Sequence, residues 1–198
     1  MGFFDNLKQV ASSTIRDVAS DIVNNVEDLL GASKVSVNIG AMPVSLAEFK
    51  SKDGTNLKDP HKVVALTILA LCTYPHNKDL CIEMLNFLKG PTPLSPHDIQ
   101  FLRDRFVGKD YLAVSFLEGA TQENNYTPTE PYNVNVYKTS HSEDALSEGY
   151  LQLFVKSGGA DSARPIRLRK KPSTGEWFLW EYFVLAGIRE PENANPWE

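Results

Sequence analysis

The chain is poor in the residues that staple small proteins or hold metals. Only Cys72 and Cys81 occur in 198 residues, both inside apolar runs and in no CxxC or mixed Cys/His spacing. That excludes a disulfide framework and a zinc ribbon. Two free thiols, buried as small hydrophobes in a reducing compartment, are expected. The four histidines, His61, His76, His97 and His141, form no i, i+4 pair, so no metal site is expected. Asp53-Gly54-Thr55-Asn56 lacks the remaining ligands of a calcium loop. Long hydrophobic runs are missing as well. The longest, Val63–Cys72, is broken by Thr67 and is far shorter than the ~18 residues of a membrane span, so no transmembrane segment is expected. Positive charge is scarce: Lys and Arg number 20 against 25 Asp and Glu, a net −5. This disfavours nucleic acid and anionic lipid as partners. Met1–Val10 has no basic start followed by an apolar core, and Gly2 is followed by Asn6 where a myristoylation signal has Ser or Thr. A cytoplasmic location is expected. No nucleophile elbow, phosphate loop, GxGxxG or HExxH occurs, so neither a catalytic residue nor a cofactor is assigned.

What remains is an ordinary globular composition, with 42% hydrophobic and 23% charged residues. The length suits one domain with an appendage. Residues 3–30 carry the clearest helical pattern. Phe4, Leu7, Ala11, Ile15, Val18, Ile22, Val26 and Leu29 recur at steps of three and four, and Gly31 is a plausible stop. Such a helix would reach roughly 42 Å, long for a chain of this mass. It reads as residues 1–33, an amphipathic helix, ahead of a single α+β domain over 34–198. The helix has three readings: completing its own domain's core, binding a partner or a second copy, or lying on a membrane. Its net negative charge opposes the last.

Val35, Val37 and Ile39 alternate like a strand. Ser45 and Glu48 form a capping-box pattern before a short helix at about 45–51. Asp59-Pro60, Asn77 and Ser95-Pro96 then open three helices, ended near Tyr74-Pro75, Gly90 and Gly108. The first is apolar on nearly every face and reads as central. After the irregular stretch 119–131 the period drops to two, giving strands around 132–136, 151–155, 166–169 and 176–184. The last is apolar on both faces and reads as a central strand. Helices first and strands later give α+β: N-terminal helices packed on a C-terminal antiparallel meander of about four strands.

Several strings stand out: Leu85-Asn86-Phe87-Leu88-Lys89-Gly90-Pro91, Phe101-Leu102-Arg103-Asp104-Arg105, Glu123-Asn124-Asn125-Tyr126-Thr127-Pro128, Ser157-Gly158-Gly159-Ala160-Asp161-Ser162 and Trp177-Phe178-Leu179-Trp180-Glu181. With Asn195-Pro196-Trp197 they resemble a family of uncharacterised bacterial proteins, a domain of unknown function, over about residues 42–198. The resemblance implies a bacterial origin and no activity.

Two places could hold a ligand. The loop 119–131 is longer than most connections and offers Glu123, Asn124, Asn125 and Tyr126 as acceptor, amides and hydroxyl. Asn and Thr side chains can equally satisfy such a loop's own backbone. Arg167 and Arg169 share one strand face, with Trp177 or Trp180 on the neighbouring strand, a grouping that suits an anionic ligand. It equally suits Arg stems covering aromatic rings on a solvated sheet. The reading favoured is a non-catalytic binding or assembly protein, with residues 3–30 mediating homo-oligomerisation or partner binding. The alternative is a small-molecule-binding or hydrolytic enzyme with a pocket between helices and sheet, using Glu123, Tyr126, Asp161 or Arg167.

Overall fold

The computed structural model describes residues 31–194. The segment 3–30 and Trp197, for which a helix and a packing role are expected, lie outside the described residues. The described part opens on β1 (Ser33–Asn38). Five helices follow: α1 (Leu46–Lys50), α2 (Pro60–Thr73), α3 (Lys78–Lys89), α4 (Pro96–Phe106) and the single turn α5 (Tyr111–Val114). Then come β2 (Asn133–Lys138), β3 (Tyr150–Val155), β4 (Arg164–Lys171) and β5 (Glu176–Tyr182). The strands form one antiparallel sheet in the order β1-β2-β3-β4-β5. The architecture is α+β, with five strands where about four are expected. The extra one is β1, whose Val35 and Val37 pair with Val136 and Val134 across an insertion that contains α1 to α5. Its alternation is legible; its partner, about a hundred residues away, is not.

The first four helices are where the punctuation puts them; the single turn α5, which has no side-chain cap, is not legible in the sequence. The Asp59 side chain accepts from the His61 amide at 2.9 Å, and Pro60 opens α2. Every residue from Val63 to Thr73 is buried, so α2 forms the centre of the core. Its two hydroxyls, Thr67 and Thr73, donate to the carbonyls of Val63 and Leu69 one turn back, so burial leaves neither unpaired. Asn77 caps α3 through the Leu80 amide at 3.1 Å. Ser95 and Asp98 cap α4 reciprocally. At α1 the box is displaced by one residue: Ser45 accepts from the Glu48 amide, while the Glu48 carboxylate reaches the amide of Val44.

β5 departs from expectation. It is an edge strand, although both of its faces are apolar. Loop and helix cover the side where a further strand would lie. The Trp177 amide donates to Leu57 O at 2.7 Å, and Lys89 donates to Trp180 O at 3.1 Å. The Phe178 ring sits so close to Gly90 that a Cβ there would meet it at 2.3 Å. Gly90 is also at φ +57°, so the α3 stop and the seat for Phe178 are one position. An edge covered in this way is protected from pairing with other chains. Beyond Trp180 the cover ends.

Candidate functional site

The loop 119–131 is built from its own polar side chains. Asn124 accepts from the amides of Thr121 and Thr127, at 2.9 and 3.1 Å, and donates to the carbonyls of Gly119 and Thr127, at 2.7 and 3.0 Å. Asn125 and Tyr126 both take left-handed backbone angles, φ 55° and 56°. Asn125 Oδ1 accepts from the Asn193 amide at 2.9 Å, tying the loop to the C-terminal turn. Tyr126 is 2% exposed, stacks on Tyr111 at 5.3 Å and donates to Arg189 O at 2.7 Å. Glu123 remains at the surface. Hydrogen bonds from its own amide and the Thr121 hydroxyl, with the attraction of Arg189, hold its carboxyl below the ordinary range.

The glycine pair of the 157–162 string explains how the loop is seated. A Cβ at Gly158 would lie 1.9 Å from Ala120 O, and one at Gly159 would lie 1.9 Å from the Tyr126 hydroxyl. Below them Ser157 Oγ donates to the buried Ser115 Oγ at 2.8 Å and accepts from the Gly159 amide at 3.0 Å. Asp161 pairs with Arg189.

Arg169 and Trp180 meet across β4 and β5, and Arg167 lies two residues along β4 with other partners. The Arg169 guanidinium lies 5.0 Å from both the Tyr150 and the Trp180 ring centroids, and donates to the Tyr150 hydroxyl at 2.8 Å. Arg167 donates to Gln152 at 2.7 Å and pairs with Glu181 at 3.3 Å. A β-bulge between Arg167 and Leu168 leaves Trp180 without a partner across the strand pair, and this aims it beside Arg169. The structure thus joins Arg169 to Trp180, sets Arg167 beside them on Gln152 and Glu181, and gives Glu123 to Tyr126 a separate set of neighbours.

Next to Trp180 lies a cleft of about 550 Å³ between helix and sheet, where the sequence suggests a pocket but of its lining singles out only Trp180 as a ligand-binding residue. Its volume falls within the ~300–1,000 Å³ of small-molecule sites. Trp180 to Tyr182 line it at the end of β5 with Phe183 just beyond, Asp98, Phe101 and Arg105 along α4 with Leu94 just before it, and Lys89, Arg164 and Leu185–Gly187 complete the lining. Phe101 faces outward on α4, 37% exposed, with Arg105 over its ring at 5.0 Å. That outward aromatic, two residues from the inner stripe of Ile99, Leu102 and Phe106, is the one sequence signal that could have disclosed the cleft. Burial drags the Lys89 ammonium below its ordinary range, against the attraction of Asp98 and Glu181. Burial works to raise the Asp98 carboxyl, but the bonds from Ser95 outweigh it and keep it ionised. Burial pushes the Tyr182 hydroxyl up, so it stays protonated.

Among the described residues, no group of three or more His, Cys, Asp or Glu could hold a metal ion. Nor, among them, is any helix long and apolar enough to cross a membrane. Helices inserted ahead of an antiparallel meander, with an aromatic-lined cleft at the sheet's edge, define a small α+β protein with a ligand-sized opening. Residues 41–192 match a domain of unknown function, DUF6935, and the chain belongs to that family. No curated protein and no solved structure matches the chain.

Proposed function

We propose that this is a non-catalytic binding protein whose ligand sits in the cleft between α4 and β5, and that residues 3–30 act as an amphipathic helix that mediates self-association or partner binding. The cytoplasm of a bacterial cell is the proposed setting. One observation carries the binding reading: an opening of about 550 Å³ with an aromatic lining lies where the cover over β5 ends. Aromatic side chains in a concave site bring large contact area at small entropic cost. The two cysteines lend no nucleophile: burial pushes the Cys72 thiol up to about 12 and raises Cys81 as well.

The alternative, an enzyme, draws on the same cleft, which lies between helix and sheet and holds a lysine that is easier to deprotonate than usual. The residues nominated for that chemistry are engaged elsewhere: Tyr126 on Arg189, Asp161 on Arg189, and Arg167 on Glu181.

A screen of small organic molecules by amide-resolved NMR tests the reading. Binders should shift the resonances of Phe101, Trp180 and Phe183, and Phe101→Glu should abolish their binding while preserving the melting temperature. Binders that instead cluster on the 119–131 loop would overturn the cleft as the site.

A further inference from the structure

We propose that the cleft between α4 and β5 selects a small amphipathic monoanion, with an aromatic or aliphatic body against Phe101 and Trp180 and a carboxylate directed toward Lys89, Arg105 and Arg164. This rests on the reading of the cleft as a binding site and adds the charge and class of the ligand.

The charges lining the cleft are unevenly matched. Three are positive, on Lys89, Arg105 and Arg164, and two negative, on Asp98 and Glu181. Both carboxylates already accept from donors of the protein. Asp98 takes the Ser95 amide and hydroxyl, each at 2.8 Å, and Glu181 takes Arg167 at 3.3 Å. The cations are held by neutral partners. Arg164 is 7% exposed and donates to Ser162 O at 2.9 Å, Ser162 Oγ at 2.7 Å, Ala186 O at 3.2 Å and Gly187 O at 3.1 Å. Lys89 donates to Trp180 O at 3.1 Å and keeps further ammonium protons for a ligand. Arg105 rests on the Phe101 ring. The hydrogen bonds fix the guanidinium and ammonium charges in place and orient them. Asp98 and Glu181 attract Lys89, and Asp161 attracts Arg164, but among the described residues no carboxylate is hydrogen-bonded to Lys89, Arg105 or Arg164, so an anion that reaches them gains charge-assisted bonds.

The positive excess is small, one charge within the lining itself and more once Arg167 is set against Glu181, and it favours a ligand of low charge. A polyphosphate or nucleotide would exceed it and would bring extra charge against Asp98 and Glu181. A single carboxylate matches it. The remaining lining, including Leu94, Phe101, Trp180, Phe183 and Leu185, favours an apolar body.

Calorimetric titration of the full chain with naphthaleneacetate, its neutral amide and naphthylethylamine at neutral pH tests the charge. The carboxylate should bind at least about tenfold more tightly than the amide, and the amine least, since hydrogen bonds to charged groups are stronger than neutral ones. Arg105→Gln, on an exposed helix face, should fold normally and bring the carboxylate-to-amide ratio toward one. Lys89→Gln should do the same, with its melting temperature as the control for folding. Equal affinity for carboxylate and amide, both lost in Phe101→Glu, would overturn the charge selection and leave the cleft standing as a site. A carboxylate preference untouched in Arg105→Gln and Lys89→Gln would place the anion elsewhere and overturn the proposal. Binding of none of the three probes would overturn both readings.

Discussion

Asn124 bonds to four backbone groups of a single loop, and in doing so takes the place of the regular secondary structure the loop lacks. Asn124→Ala should therefore cost on the order of 2 kcal/mol in denaturant unfolding, because it strands amides and carbonyls that were paired. The cysteines make a prediction in pH. Cys72 rises from an ordinary 9.0 to about 12 in the folded chain, so the fold prefers the protonated thiol. Unfolded chains lose that proton first as pH climbs, so this contribution is fully present below pH 9.0 and is lost progressively toward pH 12. Unfolding titrations should show stability falling across that window. A Cys72→Ala chain should show a shallower fall. At pH 8, thiol reagents should label neither cysteine until denaturant is added, since both are buried.

Among the elements, the connection from β3 to β4 has its conformation fixed by what packs on it. In the sequence Gly158 and Gly159 are part of the string 157–162 and nothing there says what lies against them. In the structure they are the floor on which Ala120 and Tyr126 rest. Gly158→Ala puts a Cβ against a backbone carbonyl, which has no rotamer to swing away, so the loop must lift. The expected loss is about 2–3 kcal/mol, with raised amide exchange confined to 119–131 and 157–161. Ala at the solvent-facing Gly175 is a useful contrast: space is open there, and only the left-handed φ of 69° opposes it. Its cost should be about 1 kcal/mol in the same unfolding measurement. The strand β5 teaches a related point. A two-sided apolar pattern signals that both faces are covered, and it does not say by what. Here Phe178 is seated against the end of α3, so an edge strand carries the signature of a central one.

At the scale of the molecule, β1 joins the sheet to whatever residues 3–30 do. It begins two residues beyond Gly31, and most of its side chains are exposed. Light scattering on the full chain and on a chain starting at Gly31 should give an oligomer and a folded monomer respectively. Identical masses would remove the self-association role from residues 3–30. A shortened chain that fails to fold would instead make that segment part of the domain's own core.

The sequence by itself determined helices α1 to α4, the α+β class and the strand pattern. These follow from local causes: caps, first-turn prolines, stop glycines and the change of period from 3.6 to two. It also indicated that Asn124 and its neighbours could be used by their own loop. Three things were decided by tertiary structure alone: the pairing of β1 with β2, the edge position of β5, and the cleft that gathers Lys89, Asp98, Phe101, Arg105, Arg164 and Trp180. Those residues come from four separate stretches of chain. Only the packing of α3 and α4 beside the last two strands brings them together, and no periodicity along one segment records which other segment will lie against it.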